Sequence, residues 1–267
     1  MDLAQASMEQ AQAFILILVR VGALFMAAPI LGNARIPGQV KAGLILLVSV
    51  LLLFSLNTQG LNLPQKAVGN IFALTGSIMG ELFVGLAVAY SSFLFFSAIQ
   101  MAGQILDIQV GFGLVNVLDP TSNSQVSVLG QFYYLVALLY FLALDGHHFL
   151  LKALGDSFRL IPPGSLGWFE HAAAAGPKLS DFFTQLFIIA LQIAGPSIAV
   201  LFLTNVTMGL LSRTIPQMNV FIVGLPANVL IGLLVTIVSL KFMGTVLHSV
   251  INSMGDGIAR LLHTLAA

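Results

Sequence analysis

Residues 106–114 read Leu106-Asp107-Ile108-Gln109-Val110-Gly111-Phe112-Gly113-Leu114, and the reading of this run decides the fold. Leu106, Ile108, Val110, Phe112 and Leu114 are apolar, and Asp107, Gln109, Gly111 and Gly113 alternate with them. Strict alternation is the pattern of an extended segment rather than of a helix. Apolar stretches of helical length lie on both sides of it. A single extended segment cannot face lipid, because its backbone N–H and C=O groups would find no partners there. The expectation is an extended segment between helices, buried in protein or lining a water-filled cavity, as plugs, filters and gates do.

Composition sets the surroundings. Of 267 residues, 58% are hydrophobic and 7% are charged, with a mean hydropathy of +1.00; a soluble domain has about 25% charged residues. A soluble fold of this length cannot hide so much apolar surface, so an all-α integral membrane protein is expected. A formal net charge of zero argues against nucleic acid as a partner. There is no cysteine, which excludes disulfides, thiolate metal sites and cysteine nucleophiles. Asp2 and Glu9 precede the first basic residue, Arg20. The positive n-region of a cleaved signal peptide is therefore lacking, and the first apolar segment is expected to stay in the mature chain.

Six apolar stretches stand out, at 11–31, 42–56, 67–101, 126–144, 182–211 and 220–251. A spanning helix needs about 20 residues, so the second is short and the third, fifth and sixth are too long for one straight span. Gly195-Pro196 is expected to interrupt the fifth, and Gly224 with Pro226 the start of the sixth, since proline removes a helix hydrogen bond. Residues 145–181 form the longest polar connection, with Pro162-Pro163-Gly164 and Trp168. Asp119-Pro120-Thr121-Ser122-Asn123 reads as a helix start. The positive-inside rule places the N-terminus outside, yet leaves Lys152, Arg159 and Lys178 outside too. The apolar segments are thus not all simple spans.

Arg20 and Glu81 lie inside apolar segments. Charges there face the protein interior, either as a structural ion pair, for which each is a candidate partner of the other, or as polar contacts in a pathway or subunit interface. Gly76 and Gly80 have the small-xxx-small spacing that permits close helix approach. Asp145-Gly146-His147-His148 resembles a metal cluster, but adjacent helical histidines point about 100° apart and no third and fourth ligands follow at suitable spacing, so no metal is expected. There is no nucleophile elbow, His-Glu-x-x-His or phosphate-binding loop, so no catalytic residue, cofactor or enzymatic activity is expected. Between two very apolar helices, Arg213, Gln217, Asn219 and Phe221 surround Pro216. They form either a tight turn, with Gln217 and Asn219 capping freed backbone groups, or a contact surface.

The ordered set of these segments resembles one family, the FliR family of flagellar export proteins, related to the SctT proteins of injectisomes. The residues that carry the resemblance are Gly103 to Gly113, Asp119-Pro120, Gly146-His147-His148, Ser157-Phe158, Ile161-Pro162, Arg213, Pro216 to Phe221 and Gly224-Leu225-Pro226. The match runs over nearly the whole chain, and the Gly-His-His version and loop length look flagellar. The resemblance implies a core subunit of the type III export gate in the bacterial inner membrane, associated with the flagellar basal body. It implies assembly with FliP-like and FliQ-like subunits, contact with an FlhB-like protein and with lipid, and a channel for unfolded export substrates. The implied fold is a set of helical hairpins whose membrane depth hydropathy misjudges. The loop corresponding to 103–124 is a plug in that family. This places Val110, Gly111, Phe112, Gly113 and Leu114 at the gate, with Phe112 the leading residue and its flanking glycines free to bend.

The whole chain, 1–267, is expected to form one integral membrane domain without chemistry of its own. A rival is a secondary transporter using Arg20 and Glu81 near the midplane with broken helices; inverted repeats would favour it, and none is convincing. A membrane enzyme would be favoured by polar residues clustered at one depth. Neither rival accounts for the alternating segment. Arg20, Glu81 and that segment all want partners, so the chain is expected to be unstable alone.

Overall fold

The computed structural model describes residues 3–58, 71–113, 127–165, 168–215, 217 and 219–266. Among these, seven α-helices and no strand are present: α1 (Leu3–Ala27), α2 (Gly38–Thr58), α3 (Ile71–Val110), α4 (Val128–Ala143), α5 (Gly146–Leu160), α6 (Trp168–Thr214) and α7 (Val220–Ala266). In α1, α2, α3, α6 and α7 the apolar run is long enough to cross a membrane. The chain divides into two units. The first comprises Met1–Leu94, Asp145–Phe182 and Ser253–Ala267; the second comprises Phe95–Leu144 and Phe183–Asn252.

In the first unit, α1 buries Ala13, Leu16, Ile17, Arg20, Val21 and Leu24, one face at helical spacing. Arg20 therefore sits in the middle of an inward stripe. Gly22 lets α2 approach, with Ile45 opposite it, and the Lys41 ammonium donates to the Gly32 carbonyl at 3.0 Å across the connecting turn. α5 buries Leu150, Ala153, Leu154, Ser157 and Phe158. The end of α7 buries Met254, Ile258 and Leu261, with Gly257 against the Phe182 ring.

In the second unit, Ala98, Ala102, Leu106 and Val110 of α3 are buried at four-residue steps. α4 meets α3 closely: a Cβ built on Gly103 would lie 2.5 Å from the Gly130 Cα and N. The Phe96 ring packs edge-on against Tyr134 and Phe141. The Tyr133 hydroxyl lies 3.1 Å from the Ser239 hydroxyl, fastening α4 to α7.

Three expectations are corrected. Residues 106–110 are helical, not extended, because α3 runs to Val110. Leu106 and Val110 are also four apart, which is one helical turn, and both are buried while Ile108 between them is 73% exposed. Five residues satisfy both periods, and the packed face continuing from Ala98 and Ala102 selects the helical one. Second, the polar connection 145–181 is largely helical, holding α5 and the start of α6. Third, Pro196 and Pro226 do not interrupt their helices. A proline removes one hydrogen bond, whereas ending a helix in apolar surroundings would strand several backbone groups.

Candidate functional site

Two polar constellations are built into this apolar chain. The first joins Arg20 and Glu81, which are 1% and 2% exposed. The Arg20 Nε–H donates to Glu81 Oε2 at 2.6 Å. Arg20 Nη1 donates to the carbonyls of Ser157 at 2.9 Å and Ile161 at 3.0 Å and to the Ser157 hydroxyl at 3.2 Å. The guanidinium carbon lies 4.2 Å from the Phe158 ring centre. A cation on the last carbonyls of α5 complements the negative end of that helix. The other Glu81 oxygen accepts from the Gly164 N–H at 2.8 Å, and Gly164 adopts φ 79, where glycine carries no steric cost. Gly85, one turn after Glu81, lets the helices close: its Cβ would lie 2.6 Å from the Arg20 carbonyl oxygen. The two charges, expected to face inward, pair with each other. It ties α1, α3, α5 and the 161–165 turn together.

The second constellation centres on Asp107, 5% exposed. Its backbone carbonyl accepts from Gly111 N–H at 3.1 Å and Gly113 N–H at 3.4 Å, and Gly111 has φ 100. Its carboxylate accepts from the Ser127 hydroxyl and from the Leu129 N–H, at 3.1 and 3.3 Å to its two oxygens. Ser127 is the N-cap of α4, accepting in turn from Gly130 N–H at 2.8 Å. The proposed gate residues divide here. Val110 is 1% exposed and packs against Gly232 of α7. Gly111, Phe112 and Gly113 form the turn after α3, all partly exposed. Leu114 and Asp119-Pro120 lie outside the described residues. The Asp107 contacts were missed in the sequence because their partners lie 20 and 22 positions away.

The remaining candidates lie apart from both constellations in sequence. Arg213, Gln217 and Asn219 are exposed at the connection between α6 and α7. Asn219 caps α7 through its carbonyl, which accepts from Ile222 N–H at 3.1 Å. The side chain of Phe221 lies outside the described residues. The Asn228 Nδ2–H donates to Asn205 Oδ1 at 2.7 Å, a hydrogen bond that joins α6 and α7. Asp145, His147 and His148 each offer a ligand atom within 4.8 Å of one another, closer than the helical angle suggests; Asp145 itself precedes the helix with φ 56. The Asp145 and His148 side chains are 75% and 71% exposed and 3.5 Å apart, the setting of a solvated surface pair.

These features define an all-helical integral membrane protein whose buried polar groups brace helices against one another. Residues 11–254 match the family model of bacterial export proteins, family 1. Over 259 residues the chain is 30% identical to the flagellar biosynthetic protein FliR of Bacillus subtilis (strain 168), covering 94% of both chains. It is 31% identical over 216 residues to FliR of Escherichia coli (strain K12), covering 81% of this chain and 79% of that one. It is 30% identical over 225 residues to FliR of Aquifex aeolicus (strain VF5), covering 84% and 83%. The chain belongs to the bacterial export protein family of FliR.

Proposed function

We propose that this protein is a component of the flagellar protein-export gate in the bacterial inner membrane, where it helps to form and close the channel for unfolded export substrates. The observation that carries this is the family match across residues 11–254, nearly the whole chain. Its partners are FliP-like and FliQ-like membrane subunits, with an FlhB-like protein in contact. The chain acts as a single non-enzymatic gate domain; the energy for export comes from elsewhere. Arg213, Gln217, Asn219 and Phe221 are the proposed subunit contacts.

The closure rests on the turn after α3. Phe112 supplies an apolar seal against water and ions. Gly111 and Gly113 on either side let the backbone swing aside. Val110, held against Gly232, fixes the stem from which the turn projects, and Leu114 is the fifth proposed gate residue. Arg20 and Glu81 serve as structure: both Glu81 oxygens are occupied, one by Arg20 and one by Gly164, which disfavours a transporter that cycles ions through them. Two measurements test the reading. Affinity-tagged chain, expressed in its native host and extracted in mild detergent, is expected to bring FliP-like and FliQ-like proteins with it. Recovery alone, from cells that express those partners, overturns the assembly. Deleting Val110–Leu114 is expected to make the assembled complex leak small ions, and unchanged conductance overturns the gate.

A further inference from the structure

We infer that Asp107 is the positioning residue of the gate turn: its carboxylate clips the end of α3 to the start of α4 and thereby holds the turn in its closed place. This inference rests on the gating reading of Gly111–Gly113 proposed above.

The argument starts from what a buried carboxylate requires. Asp107 is 5% exposed, and among the described residues no cationic side chain forms an ion pair with it. A buried carboxylate is costly unless hydrogen-bonded. Here the donors are the Ser127 hydroxyl and the Leu129 N–H, so the first turn of α4 meets the need. Helix N-termini offer unsatisfied N–H groups and the positive end of the helix dipole. Asp107 thus acts as a cap supplied from another helix, added to the local cap that Ser127 gives to Gly130 N–H.

The same residue fixes the turn from its other side. Its backbone carbonyl receives Gly111 N–H and Gly113 N–H, closing the end of α3 over two glycines. One residue therefore holds both the start of the turn, by its backbone, and the element that follows 20 positions on, by its side chain. The contact of Gly103 with Gly130 one turn earlier brings the two helices close enough for the short Asp107 side chain to reach. A leucine or alanine at 107 would complete the apolar stripe equally well as packing. The choice of an acid, with the carboxylate contacts among the described residues directed at the start of α4, serves the clip.

Losing a hydrogen bond to a charged, buried group shifts an equilibrium by roughly ten- to a hundredfold. Breaking the clip should raise the open fraction of the gate by that factor. The test uses the chain assembled with its membrane partners in potassium-loaded vesicles, with potassium efflux as the readout and co-purification of the partners confirming assembly. Asp107→Ala and Ser127→Ala are expected to leak at least about tenfold more than the native assembly, and Asp107→Asn less than Asp107→Ala. Ser127→Thr, which keeps the hydroxyl, should stay tight. The chain has no cysteine, so the D107C/S127C pair can be bridged selectively: oxidised it should be tight, and reduced it should leak. Should Asp107→Ala not assemble, Ser127→Ala and the cysteine pair decide. Tight Asp107→Ala and Ser127→Ala assemblies, beside a leaking deletion of Val110–Leu114, overturn the clip and leave the gate standing. A tight deletion overturns the gate instead. The clip is then read by hydrogen exchange at Leu129 and Gly130: faster exchange in Asp107→Ala supports it, and unchanged exchange overturns it.

Discussion

The Arg20–Glu81 pair shows what a single residue can decide in an apolar chain. Each side chain is almost wholly buried, so removing one leaves the other charged and stranded. Breaking a buried pair in this way costs about 3–5 kcal/mol. Arg20→Ala and Glu81→Ala are therefore each expected to lower the thermal stability of the assembled complex sharply, measured by aggregation temperature in detergent. The double variant should lose clearly less than the sum of the two, because contacting residues couple. Additive losses would show that the pair is not a unit. The burial of both residues was legible, since charges inside apolar helices must face inward. Their pairing was left open, because they stand 61 positions apart and nothing local joins them. The carbonyls of Ser157 and Ile161, and the Gly164 N–H, were invisible altogether: backbone partners leave no mark in a sequence.

At the scale of elements, hydropathy placed every long helix but misjudged their ends and breaks. Alternation in residues 106–110 suggested extension, yet those five residues also fit the four-residue steps of α3, and the buried face settles the choice. The turn that carries Phe112 begins only at Gly111, whose φ of 100 ends the helix. α5 lies inside the stretch read as a polar connection: Lys152, Asp156 and Arg159 interrupt its hydropathy, although its buried face is well formed. The small-residue spacing at Gly76 and Gly80 was noticed, while the tight approaches at Gly85 and Gly103 were not; a sequence with 25 glycines does not say which ones touch. That yields a prediction. A Cβ at Gly85 would meet the Arg20 carbonyl at 2.6 Å, and one at Gly103 would meet the Gly130 backbone at 2.5 Å. Backbone cannot step aside as a side-chain end can, so Gly85→Ala and Gly103→Ala should each destabilise by about 1–3 kcal/mol. Gly155→Ala, where a Cβ meets nothing within 4 Å, should be neutral or mildly stabilising, as alanine favours helix by about 1 kcal/mol. Equal thermal stability of all three variants would count against the packing described.

For the molecule as a whole, the question is what covers its apolar surface. In the 18-residue apolar window of α2, and likewise in that of α7, only 17% is buried within the chain. Leu51 and Phe54 on α2 and Ile222, Ile237 and Phe242 on α7 are all at least 60% exposed. Lipid can cover part of this, but a bilayer core is spanned by about 20 residues, and the apolar runs of α6 and α7 extend over 39 and 45. More apolar helix is present than one crossing accommodates, and the surplus requires protein. The expectation that the chain is unstable alone therefore stands on different grounds from the charges, since Arg20 and Glu81 satisfy each other inside it. Purified without partners, it is expected to elute from size exclusion in mild detergent as a broad, self-associated species. Co-expressed with FliP-like and FliQ-like subunits, it should elute in one sharp peak and aggregate at a higher temperature. A sharp, equally heat-resistant peak for the isolated chain would mean that detergent, and hence lipid, suffices to cover these faces. The long helices would then have to be accommodated by the membrane without a neighbouring subunit.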